Sequence, residues 1–294
     1  MQNSLFYGSG TALITPFTGN RIDFDALERL IDWQIDMDTD ALILLGTTGE
    51  PPTITQPERT SIIECAVSRC ARRIPLIIGT GSNDTRTAIR QSVEAQMMGA
   101  DALLVVTPYY NRTSRSGLIE HYTAIADKVD IPIIMYNVPS RTGVNLDPKT
   151  VAELARHPNL CAVKEASSSL AQLTDLAAAC GDGIAIYCGN DDQVLPAMAL
   201  GARGVISVAA NIIPRQMHDM AMNWIRSDIK ACRDLQIRYL PLIRRLFDEV
   251  NPIPVKAALS MMGKIENTLR LPLTALDDKK AELLRRELRQ FDLI

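Results

Sequence analysis

Eight short apolar runs, set about 25 to 30 residues apart with helical patterns between them, constrain this chain more than any other feature. They occupy residues 11–17, 41–46, 75–79, 102–107, 132–137, 161–164, 185–188 and 204–208. Each is an unbroken stretch of mainly Val, Ile, Leu and Ala, the pattern of parallel strands covered on both faces, whereas a half-exposed sheet would alternate apolar with polar. The spacing leaves room for one crossover helix per strand. Gly99-Ala100 and Gly201-Ala202 close helical segments just before a strand, where glycine supplies the left-handed conformation of a helix terminus. Eight such units within about 225 of the 294 residues favour an α/β fold of the closed (β/α)8 TIM barrel type over an open doubly wound sheet. Neither Gly8-Ser9-Gly10 nor Gly79-Thr80-Gly81 continues to the third glycine of a dinucleotide-binding turn. Beyond residue 225 the strand pattern stops. Three helices are expected there, through residues 229–248, after Asn251-Pro252-Ile253-Pro254, and through 277–290. The expected organisation is a barrel over residues 1–225 and a C-terminal helical appendage over 226–294 packed on it.

Composition narrows the partners. A formal charge of -3 and a pI near 5.7 leave no electrostatic footprint for nucleic acid. No apolar run approaches the roughly 20 residues of a membrane span, and Met1-Gln2-Asn3-Ser4 lacks the basic and apolar regions of a signal peptide. The expectation is a cytoplasmic protein with neither a nucleic-acid nor a membrane partner. The six cysteines form no C-x-x-C pair and read as reduced, packed thiols. Three histidines, scattered without a second ligand nearby, read as hydrogen-bonded or solvent-facing side chains, so no metal site is expected.

In a barrel the chemistry gathers at the C-terminal ends of the strands. There Lys164 interrupts the apolar stretch Cys161-Ala162-Val163-Lys164-Glu165-Ala166. The other seven of the eight lysines fall in helical or loop-like surroundings, where a solvated ammonium is ordinary. An amine taken out of water loses the hydration that favours its charged form, which leaves the neutral nucleophile needed for Schiff-base chemistry on a carbonyl. A snorkelling strand-end lysine, or half of a structural ion pair, would explain the same pattern. Tyr136 ends the preceding strand, about 4.8 Å away across a parallel sheet. Its phenol could exchange protons at a carbon bound to the amine, with Thr47, Thr48 and Tyr110 as hydroxyl partners; the alternative is a core aromatic bonded to backbone. The turn Gly46-Thr47-Thr48-Gly49 offers consecutive N–H groups and hydroxyls to a small carboxylate, although G-T-T-G also occurs as plain turn sequence. Arg141 follows Pro139-Ser140, a rigid turn that could aim its guanidinium at a second carboxylate, or it is a surface arginine. Phosphate is not expected, because the loops after strands seven and eight, Gly189-Asn190-Asp191-Asp192 and Ala209-Ala210-Asn211, carry acids or few glycines.

These residues fall into five motifs: G-T-T-G-E at 46–50, Y-Y-N at 109–111, Y-N-V-P-S-R-T-G at 136–143, V-K-E-A-S at 163–167 and N-P-I-P-V-K at 251–256. In this order and spacing the chain resembles the dihydrodipicolinate synthase and N-acetylneuraminate lyase superfamily of class I, Schiff-base aldolases. Arg141 and the N-P-I-P-V-K segment favour the synthase branch. The resemblance implies a lyase in which pyruvate forms a covalent imine on Lys164, with no metal or other cofactor, and the derived enamine attacks aspartate semialdehyde. It also implies that Tyr136 relays protons with Thr47 and Tyr110, Tyr110 reaching the site of a neighbouring subunit in a homotetramer built from paired dimers. Thr48 would hold the pyruvate carboxylate and Arg141 that of the semialdehyde, and Gly189 and Ile206 would line the site. The closest alternative is a pyruvate aldolase of the same mechanism acting on a sugar acid or an aromatic aldehyde. A barrel that binds a keto acid without catalysis is another. The stretch Pro51-Pro52-Thr53-Ile54-Thr55-Gln56-Pro57-Glu58-Arg59 departs from the small polar and His residues of lysine-inhibited members, and Thr87 stands where those members carry a Glu, so inhibition by lysine is expected to be weak or absent.

Overall fold

The computed structural model describes residues 5–294; residues 1–4, where no signal-peptide pattern is expected, lie outside the described residues. Eight parallel strands close into a barrel: β1 (Gly8–Ala12), β2 (Ala41–Leu44), β3 (Leu76–Gly79), β4 (Ala102–Val106), β5 (Ile133–Asn137), β6 (Leu160–Glu165), β7 (Ala185–Cys188) and β8 (Gly204–Ser207). Each strand pairs with its sequence neighbours, and β1 with β8 completes the ring. Helices return the chain between strands, among them α1 (Phe24–Asp36), α2 (Gln56–Cys70), α3 (Thr85–Met97), α4 (Arg115–Ala126), α5 (Pro148–Leu154), α6 (Leu170–Cys180), α7 (Val194–Ala199) and α8 (Pro214–Ile225). Three more follow: α9 (Ile229–Arg245), α10 (Ile253–Met261) and α11 (Asp278–Gln290). Gly99 and Gly201 adopt φ of 102° and 92° at the ends of their helices, as the Gly-Ala repeat implies.

The first strand is displaced from its expected place. It runs over Gly8–Ala12, not through residues 11–17. Its small and polar residues do not read as a strand, yet closure of the ring requires them. A Cβ on Gly204 would lie 2.0 Å from the Gly8 carbonyl oxygen, so the β1–β8 seam admits only glycine there. Leu13 and Ile14, which dominate the apolar run, lie past the strand.

Period-two alternation divides each strand between two cores. Ala162, Ile134, Ala185, Tyr187 and Ile206 fill the barrel interior with Phe6, Ile43 and Ile77. Ile133, Met135, Val163, Ile186 and Cys188 face the helices. Phe6 stacks on Tyr187 at 4.3 Å between ring centroids, and the Tyr187 hydroxyl donates to the Phe6 carbonyl at 2.8 Å. The same alternation that points Ala162 inward does so for Lys164, and Tyr136 stands opposite it in register.

Candidate active site

The Lys164 side chain is 5% exposed and its Nζ lies 4.4 Å from the centre of the Tyr136 ring. Both residues line a cavity of about 390 Å³ at the C-terminal mouth of the barrel. Thr47, Thr48, Arg141 and Gly189 line it too, so six of the eight residues singled out from sequence converge. Ile206 does not: it is fully buried in the interior core, on β8 and outside the cavity wall. The alternation that points it inward leaves it packed against other strand residues, and the wall beyond β8 is supplied by Val208. Tyr110 is also elsewhere, 92% exposed with φ of 69°, and lines neither this cavity nor the one that adjoins it.

The turn after β2 is a short 3-10 helix, Thr47–Gly49, followed by Glu50 in the left-handed region at φ 56°. Gly49 N–H donates to the Gly46 carbonyl and Glu50 N–H to that of Thr47. The amides of Thr47 and Thr48, at the start of the turn, have no such internal partner, the usual situation at a helix beginning. Arg141 sits in the short helix Pro139–Thr142, and its guanidinium donates to the Asn251 carbonyl at 3.0 Å. Asn251 Nδ2 in turn donates to Thr48 Oγ1 at 3.0 Å, which joins the two candidate carboxylate contacts through one residue. Asn251 opens the N-P-I-P-V-K segment, but its role as a bridge depends on contacts 110 and 203 residues away, which no local pattern carries.

Lys256 corrects the reading of the lysines. It was expected to be solvated, yet its side chain is 0% exposed and donates to Glu50 Oε1 at 2.7 Å. Burial pulls the Lys256 ammonium below its ordinary range while the Glu50 carboxylate pulls it back. Its Nζ also lies 4.1 Å from the centre of the Phe17 ring. Removing one member of such a buried pair costs about 3–5 kcal/mol, so Lys256 is held as a structural cation. Lys164, by contrast, makes no ion pair among the described residues and faces the cavity. Glu165, next along the strand, points outward, where it accepts from Asn137 Nδ2 and Gln172 Nε2 at 3.0 Å each and from Ser167 N–H at 2.6 Å.

The amides that a phosphate cradle after β8 would need are occupied. Val208 and Ala209 N–H donate to Asp191 Oδ2 at 3.0 and 2.8 Å. Burial pushes the Asp191 carboxyl up, against these two donors and the nearby Lys164 charge. No cluster of three or more His, Cys, Asp or Glu side chains suited to a metal occurs among the described residues. His157 and His218 contact Asp127 and Asp40, whereas His121 is buried, with Nδ1 2.9 Å from Thr85 Oγ1 and Nε2 unpartnered among the described residues. A second cavity, about 470 Å³, adjoins the first across Thr47, Tyr136 and Arg141 and is lined further by Pro51, Pro52 and Arg59. The described residues contain no helix long and apolar enough to cross a membrane.

A chain that places an amine, a phenol and a guanidinium in one barrel mouth has close relatives. It is 50% identical over 291 residues to the 4-hydroxy-tetrahydrodipicolinate synthase of Thermoanaerobacter pseudethanolicus, spanning 99% of this chain and 98% of that protein. The enzyme of the same name from Lachnoclostridium phytofermentans is 50% identical over 293 residues, covering 99% and 100%. Among solved structures, dihydrodipicolinate synthase from Thermotoga maritima superposes with a TM-score of 0.97 at 39% identity, over 99% of this chain and 100% of that one. The chloride-inhibited dihydrodipicolinate synthase of Acinetobacter baumannii, solved in complex with pyruvate, gives 0.96 at 41% identity over 98% and 99%. Residues 5–291 match the Dihydrodipicolinate synthetase family, and to that family this chain belongs.

Proposed function

We propose that this protein is a 4-hydroxy-tetrahydrodipicolinate synthase, a lyase of lysine and diaminopimelate biosynthesis that condenses pyruvate with L-aspartate 4-semialdehyde. The full-length relatives carry that name, and one solved relative holds pyruvate. The observation that carries the chemistry is a buried amine without an acidic partner, facing a phenol inside a cavity.

Lys164 Nζ attacks the keto carbon of pyruvate, and loss of water from the carbinolamine gives an iminium. A proton leaves the methyl group to form the enamine, whose carbon attacks the aldehyde carbon while the aldehyde oxygen takes up a proton. The amine of the semialdehyde then adds to the imine carbon, closes the ring and displaces Lys164. Tyr136 moves protons in these steps through Thr47 and the Tyr110 of a neighbouring subunit. The amides and hydroxyls of the Thr47–Thr48 turn hold the pyruvate carboxylate, with Gly189 at the wall, and Arg141 holds the semialdehyde carboxylate. The iminium serves as the electron sink, so the sequence of steps calls for neither metal nor cofactor. The exposure of Tyr110 supports an assembly of at least two chains, and the family resemblance implies a homotetramer of paired dimers. The small, charged substrates suit a cytoplasmic enzyme.

Reduction by borohydride in the presence of pyruvate is expected to fix a stable adduct at Lys164, mapped by peptide mass. An adduct at Lys256, or none, would overturn the assignment. Lys164→Ala should keep its fold, because truncation strands no partner charge, and should lose roughly a thousand-fold or more in kcat, the scale of deleting a covalent nucleophile.

A further inference from the structure

The Glu50–Lys256 ion pair plays no part in the steps above, yet it binds the turn that carries Thr47 and Thr48 to a helix 206 residues away. Four points hold this turn. Thr15 Oγ1 donates to the Gly49 carbonyl at 2.8 Å, Asn251 Nδ2 to Thr48 Oγ1 at 3.0 Å, Lys256 Nζ to Glu50 Oε1 at 2.7 Å, and Arg270 N–H to Glu50 Oε2 at 3.4 Å. Only the Lys256 contact is between full charges, and it acts where the backbone is left-handed at a non-glycine residue. Both cations also lie on the Phe17 ring, Lys256 Nζ at 4.1 Å and Arg270 Cζ at 4.5 Å, so Glu50 faces a rigid positive wall. The Arg270 guanidinium adds a hydrogen bond to the Thr53 carbonyl at 2.7 Å.

An apolar pair of similar volume would serve stability as well as a buried ion pair does, and often better. What the charges add is direction. The segment that carries Lys256 begins at Asn251, whose carbonyl receives Arg141 and whose amide reaches Thr48. One rigid piece of chain therefore touches both ends of the substrate site. We propose that Glu50 and Lys256 are positioning residues: their pair sets the Thr47–Thr48 turn at the distance from Lys164 that a keto-acid carboxylate requires. The C-terminal helices thereby become part of substrate binding. This inference rests on Lys164 being the Schiff-base lysine.

The test is the pyruvate concentration that half-saturates borohydride trapping at Lys164, measured beside thermal stability. In the double variant Glu50→Gln/Lys256→Met, which leaves no uncompensated charge, the melting temperature should return toward wild type from that of either single variant. Half-saturation should nevertheless rise about ten-fold, since misplacement on the ångström scale is felt strongly in such sites. Trapping at saturating pyruvate should still reach completion. A folded double variant with wild-type half-saturation would overturn the proposal. Glu50→Asp keeps the charge opposite Lys256 and shortens only its reach, so it tests the idea even where the double variant fails to fold. It too should raise half-saturation, and an unchanged value would refute the positioning role. Wild-type protein that is never trapped would instead sink the Lys164 reading itself.

Discussion

Lys164 and Lys256 are both withdrawn from water, but only Lys164 faces space that a substrate could fill. The first was legible because a cation breaks a strand's apolar run. The second was not, since a lysine on a helix looks ordinary until its distant carboxylate is brought to it by folding. His121 shows a related effect and carries a prediction. Burial lowers its imidazole to about 4, against a small opposite pull from Asp84. Above pH 6.5 folded and unfolded chains are both neutral there. Below it the unfolded chain takes up a proton that the fold refuses, so stability is lost progressively as pH falls from 6.5 toward 4, by roughly 3 kcal/mol at the low end. His218, raised by Asp40, acts oppositely, and Glu58, lowered to about 2 by Arg270, has its effect below 4.5. Urea unfolding of wild type and His121→Gln at pH 7.5 and 5 isolates the first contribution. The wild type should lose more stability between the two values, and equal losses would refute it.

Between elements, the contact of β6 with β7 decides how much room Lys164 has. A Cβ on Gly189 would lie 2.6 Å from Ala166 Cβ and 3.1 Å from Lys164 Cε, so the loop after β7 reaches the amine only because this residue has no side chain. Gly189→Ala is expected to cost about 1–3 kcal/mol by overpacking and to lower kcat about ten-fold or more by shifting the lysine. Gly183→Ala, which would meet nothing within 4 Å, should change neither. Melting curves with turnover assays on both variants check this, and an active Gly189→Ala enzyme would contradict the geometry. Seven strands were readable as apolar runs because burial on both faces leaves little choice of residue. The eighth, β1, was displaced because its glycines answer to a close backbone seam, which hydrophobicity does not report. Ile206, which only the resemblance singles out, lies in the interior core: depth along the barrel, not inward direction alone, decides which side chains meet the cavity.

At the scale of the whole molecule, the site is shared more widely than the barrel-and-appendage division suggests. Asn251 and Lys256 belong to the C-terminal segment yet contact Thr48 and Glu50 across the barrel mouth. The helices themselves could be read from their periodicity; their long-range contacts could not. The place of Tyr110 carries a prediction about assembly. If one chain lends this phenol to its partner's site, then inactive Lys164→Ala and Tyr110→Ala proteins, unfolded together and refolded as a mixture, should regain activity that neither shows alone. No recovery from a mixture proven to contain hybrids would argue that each chain acts by itself. At the opposite end, Phe6 stacks against Tyr187 and the tube below Lys164 is filled by side chains. The pocket is consequently a cul-de-sac, closed below the amine and entered from the barrel mouth. On the proposed reaction the keto acid, bound at the far end, arrives first and the aldehyde settles over it, and only water and protons leave before the ring formed from both comes loose from the lysine.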